Sequence, residues 1–297
     1  KDEVAIVQKN RKDEVPIVQI LQIFNYKRQQ MKRAIGIFDS GVGGLTVYKA
    51  IRNTFPNEDI IYFGDTARVP YGPKSPNTII DYSLQNARFL LQQGIKILIV
   101  ACNTSSAVAI PALQNLSDIP VIGVIEPGAE QSVKVTKCKR IGVIGTEGTI
   151  RSGAYPSAIR KLLPEAFVVS SACPLFVPLV EEGWQEHPVA KVIAEEYLKE
   201  MKEQNIDTLV LGCTHYPLLS KTIQQVMGEE VTLVDSAMAV AEYLSRYLSD
   251  ENDGQKGRDS FYVSDNENKF AEIAERILQH NIGNLTRVRL YESWFKD

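Results

Sequence analysis

"LVLGCTHYPL" at 209–218 and "LIVACNTSSA" at 98–107 share one layout: a short apolar run, then a cysteine, then a cluster of small polar residues. The chain has four cysteines, and this layout claims two of them. A short apolar run bounded by polar punctuation reads as a strand buried on both faces, the kind that parallel sheets contain. Outward from each cysteine the pattern continues. β-rich runs at 34–38 ("AIGIF"), 59–63 ("DIIYF"), 95–100 ("IKILIV") and 120–125 ("PVIGVI") alternate with longer stretches of helical spacing, such as 77–93. Four more runs lie at 140–145, 166–171, 207–212 and 231–235, and further helices are expected over 195–204, 237–248 and 269–279. The alternation predicts βα units around mainly parallel sheets.

The two halves superpose on each other. "IGIFDSGVGGL" (35–45) matches "IGVIGTEGTI" (141–150), "ILIVACNT" (97–104) matches "TLVLGCTH" (208–215), and "VIGVIEP" (121–127) matches "VTLVDSA" (231–237). Asp39 and Cys102 are 63 residues apart, Thr146 and Cys213 are 67. The expected fold is therefore α/β, with two similar parallel-sheet domains related by a pseudo-two-fold axis and the active site between them. Ligands of open α/β sheets bind beyond the carboxyl ends of the strands, which is where both cysteines fall.

Two thiols that reach one small cavity from opposite sides suit the inversion of a stereocentre. A single fixed base tends to return a proton to the face it came from, whereas a thiolate on one face and a thiol on the other replace it with inversion. Free cysteine titrates near 8.5, so a helix N-terminus after each strand is expected to favour the thiolate. Asp39, at the end of the first strand, and His215, two residues beyond Cys213, are candidate proton carriers, with Glu181 in "LVEEGW" (179–184) a third. Ser40, Asn103, Thr104, Thr146, Thr149 and Thr214 lie at strand ends or in the turns beyond and are candidate substrate donors. The amides of "SGVGG" (40–44) suit a carboxylate. Pro70 and Gly72 flank Tyr71 in "VPYGPKS" (69–75), a fixed turn suited to presenting backbone groups.

Composition narrows the classes. The chain has 297 residues, 44% hydrophobic and 23% charged, with a net charge of -3, which gives no electrostatic case for a nucleic-acid partner. No apolar run approaches the roughly 18 to 20 residues of a membrane-spanning helix. The four cysteines are far apart without a CxxC or a His pair, so no metal site is expected, and free thiols in a reducing cytoplasm are the default. "KDEVAIVQ" (1–8) recurs as "KDEVPIVQ" (12–19), ahead of Met31. Residues 1–30 are read as an upstream extension or expression leader outside the fold.

"GIFDSGVGGL" (36–45), "FGDTARVPYG" (63–72), "ACNTSSA" (101–107) and "GCTHYPL" (212–218), in this order, resemble the signature segments of bacterial glutamate racemases, of the aspartate/glutamate racemase superfamily. The resemblance runs from Met31 to Asp297. It implies interconversion of L- and D-glutamate without a cofactor, supplying D-glutamate for peptidoglycan. It implies Cys102 and Cys213 as the acid/base pair, assisted by Asp39, Glu181 and His215. Asp39 with Ser40, Tyr71 with Gly72, Asn103 with Thr104, and Thr214 with His215 would bind substrate. It also implies a discontinuous first domain, 31–124 plus 238–297, a second domain over 125–237, and a homodimer. A superfamily member acting on aspartate or a hydantoin, and a non-catalytic amino-acid-binding protein, are the alternatives.

Plainer readings stand beside these. Cys138 and Cys173 read as small buried hydrophobes, although Lys137, Lys139 and Arg140 would lower the Cys138 pKa. His187 and His280 read as surface or structural. Asp39 before Ser-Gly is also a good helix cap. Gly41 and Gly43 fit the first two glycines of a dinucleotide fingerprint and Asp65 its ribose acid, but Thr46 stands at the third glycine position.

Overall fold

The computed structural model describes residues 34–248 and 255–290; the expected extension over 1–30 lies outside them. Among the described residues ten strands form two sheets, and every ladder is parallel. The first four are β1 (Ile35–Asp39), β2 (Ile60–Gly64), β3 (Ile97–Val100) and β4 (Val121–Gly123). Next come β5 (Arg140–Gly145), β6 (Phe167–Ala172), β7 (Thr208–Gly212) and β8 (Thr232–Asp235). The last are β9 (Asp259–Val263) and β10 (Leu285–Arg287).

The first sheet runs β10-β9-β2-β1-β3-β4 and the second β6-β5-β7-β8. The core of the first, β2-β1-β3-β4, has the same order as the whole of the second. Duplicated sequence has become duplicated topology. β9 and β10 extend only the first sheet; neither was legible, because β9 ("DSFYV") opens on two polar residues and β10 is three residues long.

The central strands are buried along their length, as strands covered on both faces must be. Alternation then sorts their side chains. Ile35, Ile37, Ile97 and Ile99 join one core with the helices Leu45–Thr54, Ser236–Leu244 and Glu267–Leu278. Phe38, Leu98 and Val100 point the other way, toward Phe63, Phe89 and Leu90. In the second sheet Leu209 and Leu211 face Phe176 and Leu198, while Val210 faces Tyr155 and Ile159.

Helix boundaries obey local chemistry. The helix expected over 77–93 is Pro76–Gln92, with Pro76 in its first turn and Ser75 accepting from the Thr78 amide. The one expected over 195–204 begins seven residues earlier, as Pro188–Glu203, because Pro188 starts it and His187 caps it. Ser236–Leu244 ends short of residue 248, and Glu267–Leu278 matches its expected span to within two residues.

Candidate active site

Each sheet places most of its candidate residues just beyond the carboxyl ends of its strands. β3 ends at Val100, and Cys102 then caps the helix Asn103–Val108. β7 ends at Gly212, one residue before Cys213. The segment beyond Cys213 departs from expectation. Instead of an α-helix there is a 3-10 turn, Tyr216–Leu219, before the helix Ser220–Met227. The reason is Pro217 within that turn and a Leu218 amide bonded back to the His215 carbonyl.

Cys102 and Cys213 line one cavity of about 300 Å³. Ser40, Asn103 and Thr104 come to it from the first sheet, as does the segment Val69 to Gly72. Thr146, Glu181, Thr214 and His215 come from the second. Asp39 and Thr149 do not line it. Asp39 is wholly buried below the turn, where its carboxylate accepts from the Gly41 amide at 2.9 Å and the Thr214 hydroxyl at 3.5 Å. Thr149 sits behind the wall, its hydroxyl 3.0 Å from that of Thr146 and 3.4 Å from that of Thr104. Thr104 and Thr146 themselves meet at 2.8 Å, a hydroxyl pair that joins the two halves. Gly41, Val69, Val177 and Pro178 also line the cavity. Val177 and Pro178 belong to the helix Phe176–Glu181, which carries no strand-end signature and has no marker in the sequence.

The two thiols have different surroundings. Cys213 Sγ lies 3.8 Å from His215 Nδ1, and His215 Nε2 lies 3.0 Å from Glu181 Oε1. Burial disfavours a charged imidazole, but the hydrogen bonds and negative charge of Cys213 and Glu181 outweigh it and raise the His215 pKa to about 10. Glu181 is pushed up by burial, yet the His215 contact and Lys269 leave its carboxyl below the usual range. Glu181, unplaceable by sequence, closes the short helix Phe176–Glu181.

Among the described residues Cys102 has no basic hydrogen-bond partner; its Sγ is 3.7 Å from Ser40 Oγ. Burial, then the Asp39 charge, push its pKa up to about 11 against the Ser105 amide and the Ser40 hydroxyl. The helix N-terminus does not make Cys102 acidic: desolvation of a buried thiolate exceeds what one short helix offers. Burial also raises Asp39, countered by His215 and by the amides of Gly41, Gly44 and Ser40.

The Tyr71 hydroxyl turns away from the cavity and donates to Asp65. Asp65 also accepts from Arg68 Nε at 2.6 Å and Ser264 Oγ at 2.9 Å, and Asn86 donates to the Tyr71 oxygen at 3.1 Å. This buried network holds the turn from beneath, leaving backbone as its polar offering to the cavity. It also commits Asp65, whose carboxylate is therefore not available to a ribose. The glycines after β1 serve packing. A Cβ at Gly43 would fall 2.4 Å from His215 Nδ1 and from Thr214 Oγ1.

Of the other cysteines, Cys173 is a buried hydrophobe, while Cys138 is exposed, contrary to expectation. Its pKa is raised, not lowered, because Asp207 hydrogen-bonds the thiol and adds negative charge, exceeding the effect of Arg140. His187 and His280 are exposed. Among the described residues there is no metal-ligand cluster and no helix long and apolar enough to cross a membrane.

A two-sheet α/β frame with paired cysteines at matching strand ends defines a class. The family model for Asp/Glu/Hydantoin racemase matches residues 35–244. The glutamate racemase of Geobacter metallireducens is 53% identical over 87% of this chain and 97% of its own length. A glutamate racemase isoform of Bacillus anthracis superposes with a TM-score of 0.84 at 41% identity, over 88% of this chain and 98% of the other. That of Francisella tularensis, solved in complex with D-glutamate, gives 0.82 at 40% identity over the same shares. This chain belongs to the Asp/Glu/Hydantoin racemase family, and within it to the glutamate racemases.

Proposed function

We propose that the chain interconverts L- and D-glutamate by moving the Cα proton between Cys102 and Cys213. The main support is the delivery of one cysteine from each repeated sheet to a single cavity. At about 300 Å³ the cavity lies at the lower end of the range for small-molecule sites, roughly 300–1,000 Å³. Glutamate, not aspartate or a hydantoin, is the substrate that the relatives favour: curated glutamate racemases cover nearly the whole fold, and one was solved with D-glutamate.

The asymmetry of the two thiols supplies a starting state. His215, an imidazolium at neutral pH, lies 3.8 Å from Cys213 Sγ and is placed to balance negative charge there as Cys213 takes the proton, while Cys102 remains a thiol. For the enantiomer whose Cα–H faces Cys213, the thiolate takes the proton and the C–H electron pair passes to Cα and its carboxylate. Cys102 then gives its proton to the opposite face. The turnover ends with Cys213 as thiol and Cys102 as thiolate, the state required by the other enantiomer. Negative charge that develops on the α-carboxylate needs fixed donors, and Asn103, Thr104 and Thr214 lie at the cavity wall to serve. Proton transfer between two thiols requires no cofactor. Asp39 and Ser40 serve Cys102, and Glu181 holds His215 for Cys213. On the same reading the chain works in the cytoplasm as a homodimer and supplies D-glutamate for peptidoglycan.

The test is circular dichroism of L-glutamate and of D-glutamate, separately, with the chain in D₂O and no added cofactor. Both signals should decay to zero while deuterium enters Cα. Glutamate that binds but neither racemises nor exchanges would reduce the chain to a binding protein. Racemisation of aspartate alone would overturn the substrate assignment.

A further inference from the structure

Asn103 presents an anomaly. Its side chain is buried at 2% exposure at the cavity wall, and among the described residues its Nδ2 has no hydrogen-bond partner. Buried amide donors are nearly always paired, so an unpaired one that borders a cavity points to a ligand. Its Oδ1, by contrast, accepts from the Tyr155 hydroxyl at 2.7 Å. Tyr155 comes from the helix Ala154–Leu162 of the other half and is 1% exposed.

We propose that Tyr155 is a positioning residue: its hydroxyl fixes the Asn103 amide with the NH₂ group toward the cavity, where it donates to a carboxylate of the bound amino acid. This rests on the reading of the cavity as an amino-acid site. An amide has two faces of opposite character, one that accepts and one that donates. Flipped, Asn103 would turn carbonyl lone pairs toward an anionic substrate and repel it. Tyr155 holds one orientation because its single proton is committed. The neighbouring Ser236 hydroxyl donates to the Leu211 carbonyl at 3.3 Å, and among the described hydrogen bonds the phenol proton has no acceptor but Asn103 Oδ1. Burial keeps that phenol protonated, so it remains a donor throughout the working pH range.

The ring has a backbone seat. A Cβ at Gly128 would lie 3.1 Å from the ring, and one at Gly212 would lie 3.0 Å from it and 2.6 Å from the Ile144 carbonyl. Two glycines thus let the tyrosine reach across from one half to the other. No other side chain among the described hydrogen bonds holds the Asn103 amide. The orientation of a residue on the first sheet is therefore set by the second, and the anchor is correctly turned only when both halves are in place.

The experiment is calorimetric titration of D-glutamate into the full chain and three variants, Tyr155→Phe, Asn103→Ala and the double substitution, with melting temperatures and racemisation rates recorded alongside. Tyr155→Phe keeps the ring and removes one buried hydrogen bond, so binding should weaken about tenfold. In the Asn103→Ala background the same change should have no further effect, because the tyrosine acts only through that amide. A ring that served packing alone would lower the melting temperature and leave the dissociation constant within twofold, which overturns the proposal. An equal loss in both backgrounds overturns it too. A wild-type chain that neither binds nor racemises glutamate overturns the functional reading and this inference with it. A racemising wild type with an indifferent Tyr155→Phe variant overturns this inference alone.

Discussion

Replacing Glu181 by Gln tests the electrostatics of the Cys213 side most directly. The substitution keeps an acceptor opposite His215 Nε2, now 3.0 Å from Glu181 Oε1, and removes only the charge. Two unit charges about 4 Å apart interact by about 4 kcal/mol at an effective dielectric constant of ~20. The Glu181 side chain retains 35% of its exposure, so water screens the pair and about 1.5 kcal/mol is the discounted figure. That corresponds to about one pKa unit. His215 in Glu181→Gln should then lose its proton near pH 9, against about 10 in the parent chain. A raised histidine stabilises the fold fully below its unfolded value of 6.5, and the contribution fades as pH rises through about 10. The variant should accordingly be about 1.5 kcal/mol less stable at pH 6, with the difference gone above pH ~10. NMR titration of the His215 imidazole signals reads the shift. The alkaline limb of kcat/KM should move down by the same amount. A His215 titration unchanged by the substitution, or an alkaline limb that moves up, would refute the argument.

Cys102→Ser and Cys213→Ser should each abolish racemisation, by at least ~10³-fold, because a serine hydroxyl is a far weaker acid and its alkoxide is not available near pH 7. Each variant should still exchange deuterium into one enantiomer without inverting it, and the two variants should choose opposite enantiomers; mass spectrometry of recovered L- and D-glutamate reads this. Gly43→Ala drives a methyl into His215 and Thr214, at a cost of about 1–3 kcal/mol. Most of that should appear in kcat/KM, and an unaffected rate would show that the His215 position is unimportant. Asp65→Asn removes the buried partner of Arg68 and should cost about 3 kcal/mol in urea unfolding together with a raised KM, since the Tyr71–Gly72 turn rests on it. A lost stability without any change in KM would limit Asp65 to the fold. In every variant kcat/KM should be equal in the two directions, as the enantiomers have the same free energy in water.

Local pattern along the chain specified the elements and their repetition. Eight strands were legible as short β-rich runs, the central ones apolar because both their faces are buried, and most ended where a cysteine, an aspartate or a threonine broke the run. Repetition was legible because one pattern of runs and intervals occurs twice, so two similar parallel sheets were expected from the sequence, while their strand order came from the structure. Cys102, Cys213 and the threonines beside them stood out because chemistry at strand ends interrupts an apolar pattern. Packing in three dimensions set everything that has no local signature. β9 opens on two polar residues and β10 has only three residues, so neither announces itself; β9 pairs with the open edge of β2, and β10 with β9. Glu181 closes a helix far along the chain from Cys213, and its carboxylate reaches His215 through packing alone. The Cys102 thiol was expected to be acidified by the helix it caps, yet it is held protonated by burial and by Asp39, effects of surroundings that spacing does not encode. Tyr155 resembles any core aromatic in the sequence. Its hydroxyl acquires meaning only where the second half brings it against Asn103. Residue type and spacing fix what a side chain can do, and only the fold brings together the partners that make it do so.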